Sequence, residues 1–495
     1  MQEPKIPMTL PSPETGVRPA RERRSPDLYR AVWRWHFYAG LLVLPFLIWL
    51  AITGGLYVFK NEIDGFFHQR LLTVAQPATP ARAPTELTAA ALAAHPGTLV
   101  KYTPPATPTR SAEALVATTT GERLAVFVDP YNARVLGAMP DGGSVAWTIR
   151  KLHSLKYFSP IARGAIEIAA GWAILLVLTG IYLWWPRGQK GGVVTVRATP
   201  AKRVFWRDLH AVTGLGVGGM LLFLALTGMP WSVLWGNQIN QWANGHNYGY
   251  PAGVRVQVPM SQLKLADGET PAWSLLQARL PESGHEGHEG HEVHADHDGH
   301  SGHDGHEGHM AHAGHAMPEM PALPSALTLA QAVAAFDRLG LAPGYAVQLP
   351  RGPQGVYSGS VYPADLSQQR VVHLDQYSGK PLLDMSYADY GAMGRALEWG
   401  INVHLGMEWG VFNQALLVVT CLGIVLLCVS AGVMWWKRRP NGSLGVPPAP
   451  ANRKLQAGVF ALLLVGGAIF PLVGASMLVM ALLDWLAFAR RPAQA

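Results

Sequence analysis

Four stretches of this chain stay apolar for about the 20 residues that a helix needs to cross a bilayer. They are 37–59, 164–185, 211–235 and 410–436. Inside hydrocarbon a chain must satisfy its own backbone hydrogen bonds, so each run predicts a membrane-spanning helix. Only 14% of the 495 residues are charged, and 17 are tryptophan. Trp184, Trp185, Trp231, Trp235, Trp435 and Trp436 sit at the ends of the runs, where amphipathic rings meet the headgroups. An integral membrane protein, with the lipid bilayer as its first partner, follows.

The net charge of +7 comes from short segments beside the spans: Arg21, Arg23, Arg24, Arg30 and Arg34, then Arg187, Lys190, Arg197, Lys202, Arg203 and Arg207, then Lys437, Arg438, Arg439, Arg453 and Lys454. This is the positive-inside pattern rather than a nucleic-acid footprint. It predicts a cytoplasmic N-terminus and puts the two long connections, roughly 60–160 and 236–405, outside. The first run is longer than a signal-peptide core and reads as an uncleaved span. Cys421 and Cys428, the two cysteines, lie seven apart on one face of an apolar helix, which excludes a disulfide framework.

The spans carry a repeated pattern. His36 and His210 are each followed by Gly at +4 and by Thr-Gly at +17 and +18 (Thr53-Gly54, Thr227-Gly228). Trp184-Trp185 follows His153 by 31 and 32 residues, and Trp435-Trp436 follows His404 by the same interval. The order A–B–A′–B′ predicts an internal duplication.

Read in order, 1–26 is a Pro- and Arg-rich disordered cytoplasmic tail, with Ser25-Pro26-Asp27 opening the first helix. The first span is 27–59. Residues 60–150 form an outside segment with a helix over Thr85 to Ala94 and a strand–turn–strand around Asp129-Pro130-Tyr131. The second span is 151–186, a cytoplasmic loop 187–206, and the third span 207–235. A second outside segment, 236–400, repeats the plan, with a helix over Leu327 to Leu339, Thr328 as its cap, and a turn at Asp375-Gln376-Tyr377-Ser378-Gly379. The fourth span is 401–436 and a loop covers 437–455. Residues 456–489 are apolar but broken at Phe470-Pro471-Leu472-Val473-Gly474, which favours a hairpin over one kinked span. The fold class is an α-helical integral membrane protein with a duplicated four-span core, a C-terminal apolar hairpin and two small α+β domains outside.

In this topology His36 and His210 lie near the cytoplasmic face, and His153 and His404 near the outer face. A pseudo-two-fold bundle would pair them. A histidine at a span end commonly serves only as an interfacial hydrogen-bonding residue. Four at repeat-related places point instead to paired imidazoles, which suit two bis-histidine haems and a path for electrons across the membrane. Spacing alone does not distinguish haem from another metal. Glu167 and Glu408 could line a polar path or cap helices.

Eleven histidines recur at every third position: His285, His288, His291, His294, His297, His300, His303, His306, His309, His312 and His315. With Gly, Glu and Asp between them they form no core-type pattern. Such a run suits loose capture of divalent metal, Cu²⁺ above all on intrinsic affinity, or it is a solvated insertion. There is no His-Glu-x-x-His motif. Gly214-x-Gly216-x-Gly218-Gly219 lies within an apolar run and reads as helix packing rather than a dinucleotide loop. The loops near 186–206 and 437–455 are too short to fold a nucleotide domain.

The repeated histidines, the Thr53-Gly54 and Thr227-Gly228 pairs, the Asp129 and Asp375 turns and the Phe470–Gly474 segment together resemble the PepSY-associated transmembrane-helix family. The resemblance covers about 28–490, apart from the histidine run. It implies a bacterial inner-membrane protein carrying b-type haem, two by the ligand count, with His36, His210, His153 and His404 as axial ligands. It further implies outward electron transfer to a ferric siderophore or another metal chelate in iron acquisition, from an unidentified cytoplasmic or membrane donor. Two PepSY-type domains would sit over the outer haem. The histidine run departs from that pattern and opens an alternative: binding of divalent or ferric metal, copper or iron, by a transport-accessory protein without redox turnover.

Overall fold

A computed structural model describes residues 27–186, 191–250, 258–284, 325–440, 444–447 and 452–489. The expected disordered tail, 1–26, and the eleven histidines of 285–315 lie outside the described residues.

Four helices are long and apolar enough to cross a membrane. They are α1 (Asp27–Tyr57), α6 (Pro160–Trp184), α7 (Arg203–Gly228) and α11 (Val411–Arg438). Each packs on two others, in the cyclic order α1, α6, α7, α11. On α1 the buried positions Ala31, Trp35, Ala39, Val43, Leu47 and Ala51 fall every fourth residue, the spacing that makes one stripe on a helix. Leu42, Trp49, Ile52 and Leu56 of the same helix are exposed on the outside of the bundle.

Lipid tails are as apolar as leucine, so the helices are held by close packing rather than by hydrophobic expulsion. Small residues make the closeness possible. A methyl group added at Gly423 would lie 2.5 Å from Val217, and one at Gly171 2.4 Å from Val473. Gly214 lies within α7 against Leu427, in keeping with a packing role. Cys428 is buried in the bundle, Cys421 is half-buried, and both are free.

The spans end where the local sequence stops a helix. α7 closes at Gly228 because Pro230 follows, earlier than the expected end at 235, and a 3₁₀ turn Met229–Trp231 leads on to α8 (Trp235–Gly245). His153 and His404 do not head their spans. They end separate shorter helices, α5 (Val145–His153) and α10 (Ala392–His404). The chain then turns through Leu155 (φ 51°) before α6, and through Gly406 (φ 75°) and Gly410 (φ 55°) before α11.

The C-terminal apolar stretch is a hairpin of α12 (Arg453–Ile469) and α13 (Pro471–Ala489). At its tip Gly467 and Gly474 touch so closely that a methyl on Gly467 would lie 2.5 Å from the Gly474 Cα. α12 lies on α1 and α13 on α6. Both ends return to the head of α1: the Asn452 amide donates to Asp27 at 3.3 Å, and buried Arg34 pairs with Asp484 at 2.5 Å.

Outside the bundle, α2 (Lys60–Phe67) and α3 (Gln69–Leu72) lead into α4 (Pro84–Ala94), then β1 (Gly97–Thr103), β2 (Ala112–Thr118), β3 (Arg123–Val128) and β4 (Val135–Pro140). The second outside segment gives β5 (Met260–Lys264), β6 (Arg279–Pro281), α9 (Leu329–Arg338), β7 (Ala346–Gln348), β8 (Val356–Val361), β9 (Arg370–Asp375) and β10 (Pro381–Ser386). Thr328 caps α9 in a reciprocal box with Gln331.

The two segments do not form two separate small domains. β1 pairs with β7 (Lys101↔Gln348, Tyr102↔Val347), giving one eight-stranded antiparallel sheet ordered β10-β9-β8-β7-β1-β2-β3-β4. The pairing removes two exposed strand edges, each a row of unmet hydrogen-bonding groups. One apolar core lies under α4 and α9 together, with Leu87, Ala91, Tyr102, Val126, Ala332, Phe336, Val347 and Leu374 buried in it. Burying a side chain the size of Phe336 stabilises this water-facing layer by about 2–3 kcal/mol.

The Asp129 and Asp375 turns are built alike. Asp129 Oδ1 accepts the Tyr131 amide at 3.0 Å, and Asp375 Oδ1 accepts the Tyr377 amide at 2.9 Å.

Candidate functional site: four histidines in the bundle

Each of the four histidines is held by a hydroxyl at the far end of the neighbouring span. His36 Nδ1, near the head of α1, lies 2.8 Å from Thr179 Oγ1 of α6. His153 Nδ1 lies 2.9 Å from Thr53 Oγ1 of α1. His404 Nδ1 lies 2.9 Å from Thr227 Oγ1 of α7. His210 Nδ1 lies 3.0 Å from the Leu427 carbonyl and 3.2 Å from Ser430 Oγ, both on α11.

The hydroxyl partners assign the proton on each ring. A hydroxyl has one hydrogen to give. Thr53 gives it to the Trp49 carbonyl at 2.7 Å, Thr179 to Leu175 at 2.7 Å, and Thr227 to Phe223 at 2.8 Å. With the hydroxyl hydrogen on the carbonyl, each threonine oxygen accepts from the ring and Nδ1 carries the hydrogen. His210 faces a carbonyl, which only accepts, so the same tautomer follows. In this assignment all four rings present the Nε2 lone pair. That is the form in which a metal-binding imidazole is held when its other nitrogen donates to a fixed acceptor.

The residue after each threonine makes room for the ring. A methyl group on Gly54 would lie 3.2 Å from His153 Cε1, on Gly180 3.4 Å from His36 Cε1, and on Gly228 3.6 Å from His404 Cε1. His36 lies close enough to His210, and His404 to His153, for their charges to interact. The four are therefore gathered as two neighbouring pairs, one toward each end of the bundle. Each ring is half-buried rather than sealed. Burial pushes His153 down to about 4. Burial first, and then the neighbouring His153, push His404 down to about 3. Both are therefore neutral at physiological pH. Two neighbouring, neutral imidazoles at each end, His36 with His210 and His153 with His404, are the donor type that would hold a haem.

The other singled-out residues have structural work. Buried Glu167 accepts the Leu234 and Trp235 amides at 2.9 and 3.1 Å, capping the start of α8 where the helix dipole favours an anion. Glu408 accepts from Asn402 Nδ2 at 2.6 Å and ties the turn between α10 and α11. Asp208, fully buried near the head of α7, holds Arg197 Nε at 2.8 Å and Arg207 Nη2 at 2.6 Å. No group of three or more His, Cys, Asp or Glu able to hold a metal ion occurs among the described residues. The histidine run His285–His315 lies outside them.

Some participants escaped the sequence reading. Thr179 and Ser430 both stand 26 residues after a site histidine (His153, His404) and five before a Trp-Trp pair. That interval was the available signal. Glu398, buried on α10, accepts the Trp273 amide at 2.6 Å, and its burial raises it to about 7 against the opposing amides of Trp273 and Ser274. Fully buried His373 on β9 bonds Ser358 at 2.8 Å. No local pattern marks either residue, because their burial comes from segments distant in sequence.

Residues 33–438 match the PepSY-associated TM region family. No curated protein matches the chain. The matched range takes in α1 from Trp33 onward, the other three long apolar helices, the eight-stranded sheet and all four paired histidines. The chain is accordingly a multi-pass membrane protein belonging to the PepSY-associated TM region family.

Proposed function

We propose that this protein is a transmembrane electron conduit that binds two b-type haems and reduces a ferric chelate, such as a ferric siderophore, outside the bacterial inner membrane. The observation that carries the reading is the hydrogen count at the four rings. His36 and His210 at one end, and His153 and His404 at the other, each keep Nδ1 occupied and Nε2 available. A haem bound between each pair would supply one-electron Fe³⁺/Fe²⁺ chemistry.

The chain's own residues prepare that chemistry. Thr53, Thr179, Thr227, Ser430 and the Leu427 carbonyl fix ring orientation and tautomer and raise ligand basicity. Gly54, Gly180 and Gly228 seat the ring edges. The apolar bundle around Trp35, Ala39, Trp172, Leu221 and Ile424 keeps water from the space between the two ends.

The basic segments beside α1, α7 and α11 favour the His36/His210 end as cytoplasmic, where a soluble or membrane donor would deliver electrons. The reciprocal pattern within each half of the chain, together with the shared intervals, supports an internal duplication whose halves meet across a pseudo-two-fold axis.

An absorption spectrum of purified protein, oxidised and dithionite-reduced, with a haem-to-protein ratio, tests the reading. Low-spin b-type bands, partly lost in His210→Ala, are expected. A flat visible spectrum from folded protein made with ample haem refutes it. The eleven histidines between His285 and His315 support a second reading, capture of copper or iron outside the membrane by an accessory protein without redox turnover. Unchanged metal binding and tolerance after deletion of 285–315 refutes that one.

A further inference from the structure

Three helices, α1, α5 and α10, end around the His153/His404 pair, and two cations stand among their ends. Arg150 lies one turn before His153 on α5. Lys60, at the start of α2, donates to the carbonyl of Leu405, the residue after His404, at 3.2 Å. Tyr57, one turn beyond Thr53 on α1, joins the two. Lys60 Nζ is 5.5 Å from its ring centroid, and Arg150 donates to its hydroxyl. Arg150 also lies over the Trp147 ring, 4.6 Å from the centroid.

These charges are poorly answered. Neither cation is in an ion pair among the described residues. Both are half-buried. Burial lowers Lys60 from the ordinary lysine value, exposed Glu62 opposes the shift, and Arg150 adds to it. Asp64, the other carboxylate of α2, is spent on the Ala146 amide at 2.9 Å. The C-terminal ends of α5 and α10 offer only about half a negative charge each. Charge withdrawn from water is costly unless an opposite charge meets it. Two cations held together in this way suit an anion with two negative groups, each met by a charge-assisted contact.

Only one half of the chain has this feature. Tyr57 and Lys60 stand at +4 and +7 from Thr53, and Arg150 at −3 from His153. The same intervals from Thr227 and His404 give Trp231, Leu234 and Ile401, none of them charged. Haem has a matching asymmetry, because its two carboxylates lie side by side on one edge. We propose that Lys60 and Arg150 bind the carboxylates of the haem held by His153 and His404, with Tyr57 as the residue that positions both cations. The assignment rests on the haem content of the proposed function, though not on its electron acceptor.

The test titrates haem, and haem dimethyl ester, whose carboxylates carry no charge, into full-length apoprotein in nanodiscs. A background of His36→Ala with His210→Ala leaves the outer pair as the site measured, and the visible band gives both affinities. Haem is expected to bind about tenfold or more tightly than the ester, the worth of a charge-assisted contact. Lys60→Gln with Arg150→Gln should abolish that preference by weakening haem alone. Lys60→Arg with Arg150→Lys, which keeps both charges, should retain it, as should Arg338→Gln, exposed on α9. The wild-type background, where the double variant should weaken one of two haems, covers a failure of the histidine variant to fold. Equal affinity for haem and ester before the change, a preference that survives it, or equal weakening of both ligands by it overturns the anchors while leaving the haem reading intact. Wild-type apoprotein that takes up no haem overturns both. A preference lost as expected, in protein that reduces no ferric chelate, sustains the anchors and refutes the reductase.

Discussion

The hydrogen count at His404 makes one substitution unusually informative. Thr227→Val preserves shape and removes the hydroxyl that accepts from His404 Nδ1 at 2.9 Å. The Phe223 carbonyl, which took the hydroxyl hydrogen at 2.8 Å, keeps its ordinary helical bond. The single casualty is therefore a buried ring N–H. An unmet buried donor costs about 1–3 kcal/mol. Hydrogen bonds between membrane helices average only about 0.6 kcal/mol, because the unfolded chain in the bilayer finds other partners.

That discount does not apply to ligand binding, where both states compared are folded. In the empty state the ring can turn to relieve the loss; once ligated it cannot. The expected penalty falls on haem affinity, about 10–100-fold, or roughly 1.4–2.7 kcal/mol. Titrating haem into apoprotein and following the visible band of the His153/His404 site measures it. Thr227→Ser, which keeps the acceptor, should restore affinity. A change below about twofold in Thr227→Val, or an equal loss in Thr227→Ser, would refute the argument that this hydroxyl sets the ring.

Four further outcomes are expected. Gly54→Val puts bulk where a methyl already comes within 3.2 Å of His153 Cε1, and should abolish haem binding at the His153/His404 end alone, halving the haem-to-protein ratio. Arg34→Leu takes the cation from Asp484 and the donor from the Pro447 carbonyl, leaving Asp484 only the Tyr38 hydroxyl; breaking a buried pair costs about 3–5 kcal/mol, read as a shorter half-life in heated detergent. Glu398 is raised in the folded state from 4.5 to about 7, so between those values the folded form holds the proton longer and stability falls as pH rises, by about 3 kcal/mol. Glu398→Gln should flatten that slope between pH 5 and 8 in thermal unfolding scans. Deleting 285–315 should remove bound Cu²⁺, measured by metal analysis after dialysis, and leave the visible spectrum unaltered.

The sequence by itself determined the elements whose cause is local. Four apolar runs gave α1, α6, α7 and α11, because a bilayer requires about 20 apolar residues whatever surrounds them. The Thr328 cap, the Asp129 and Asp375 turns and the break at Pro471 were equally legible, since each depends on residues within a few positions of itself. The four histidines were legible through their intervals, and so were the threonines at +17.

Tertiary structure decided what depends on distant partners. β1 and β7 are joined through pairs as far apart in the chain as Lys101 and Gln348; their pairing, which turns two expected domains into one sheet, follows from edges that exist only once both halves are built. Thr179, Ser430, Glu398 and the Arg34–Asp484 pair are ordinary residues until another helix is laid against them. The shared proton count of the four rings was decided in the same way: the histidine supplies two nitrogens, and only the helix packed beside it determines which one is left free.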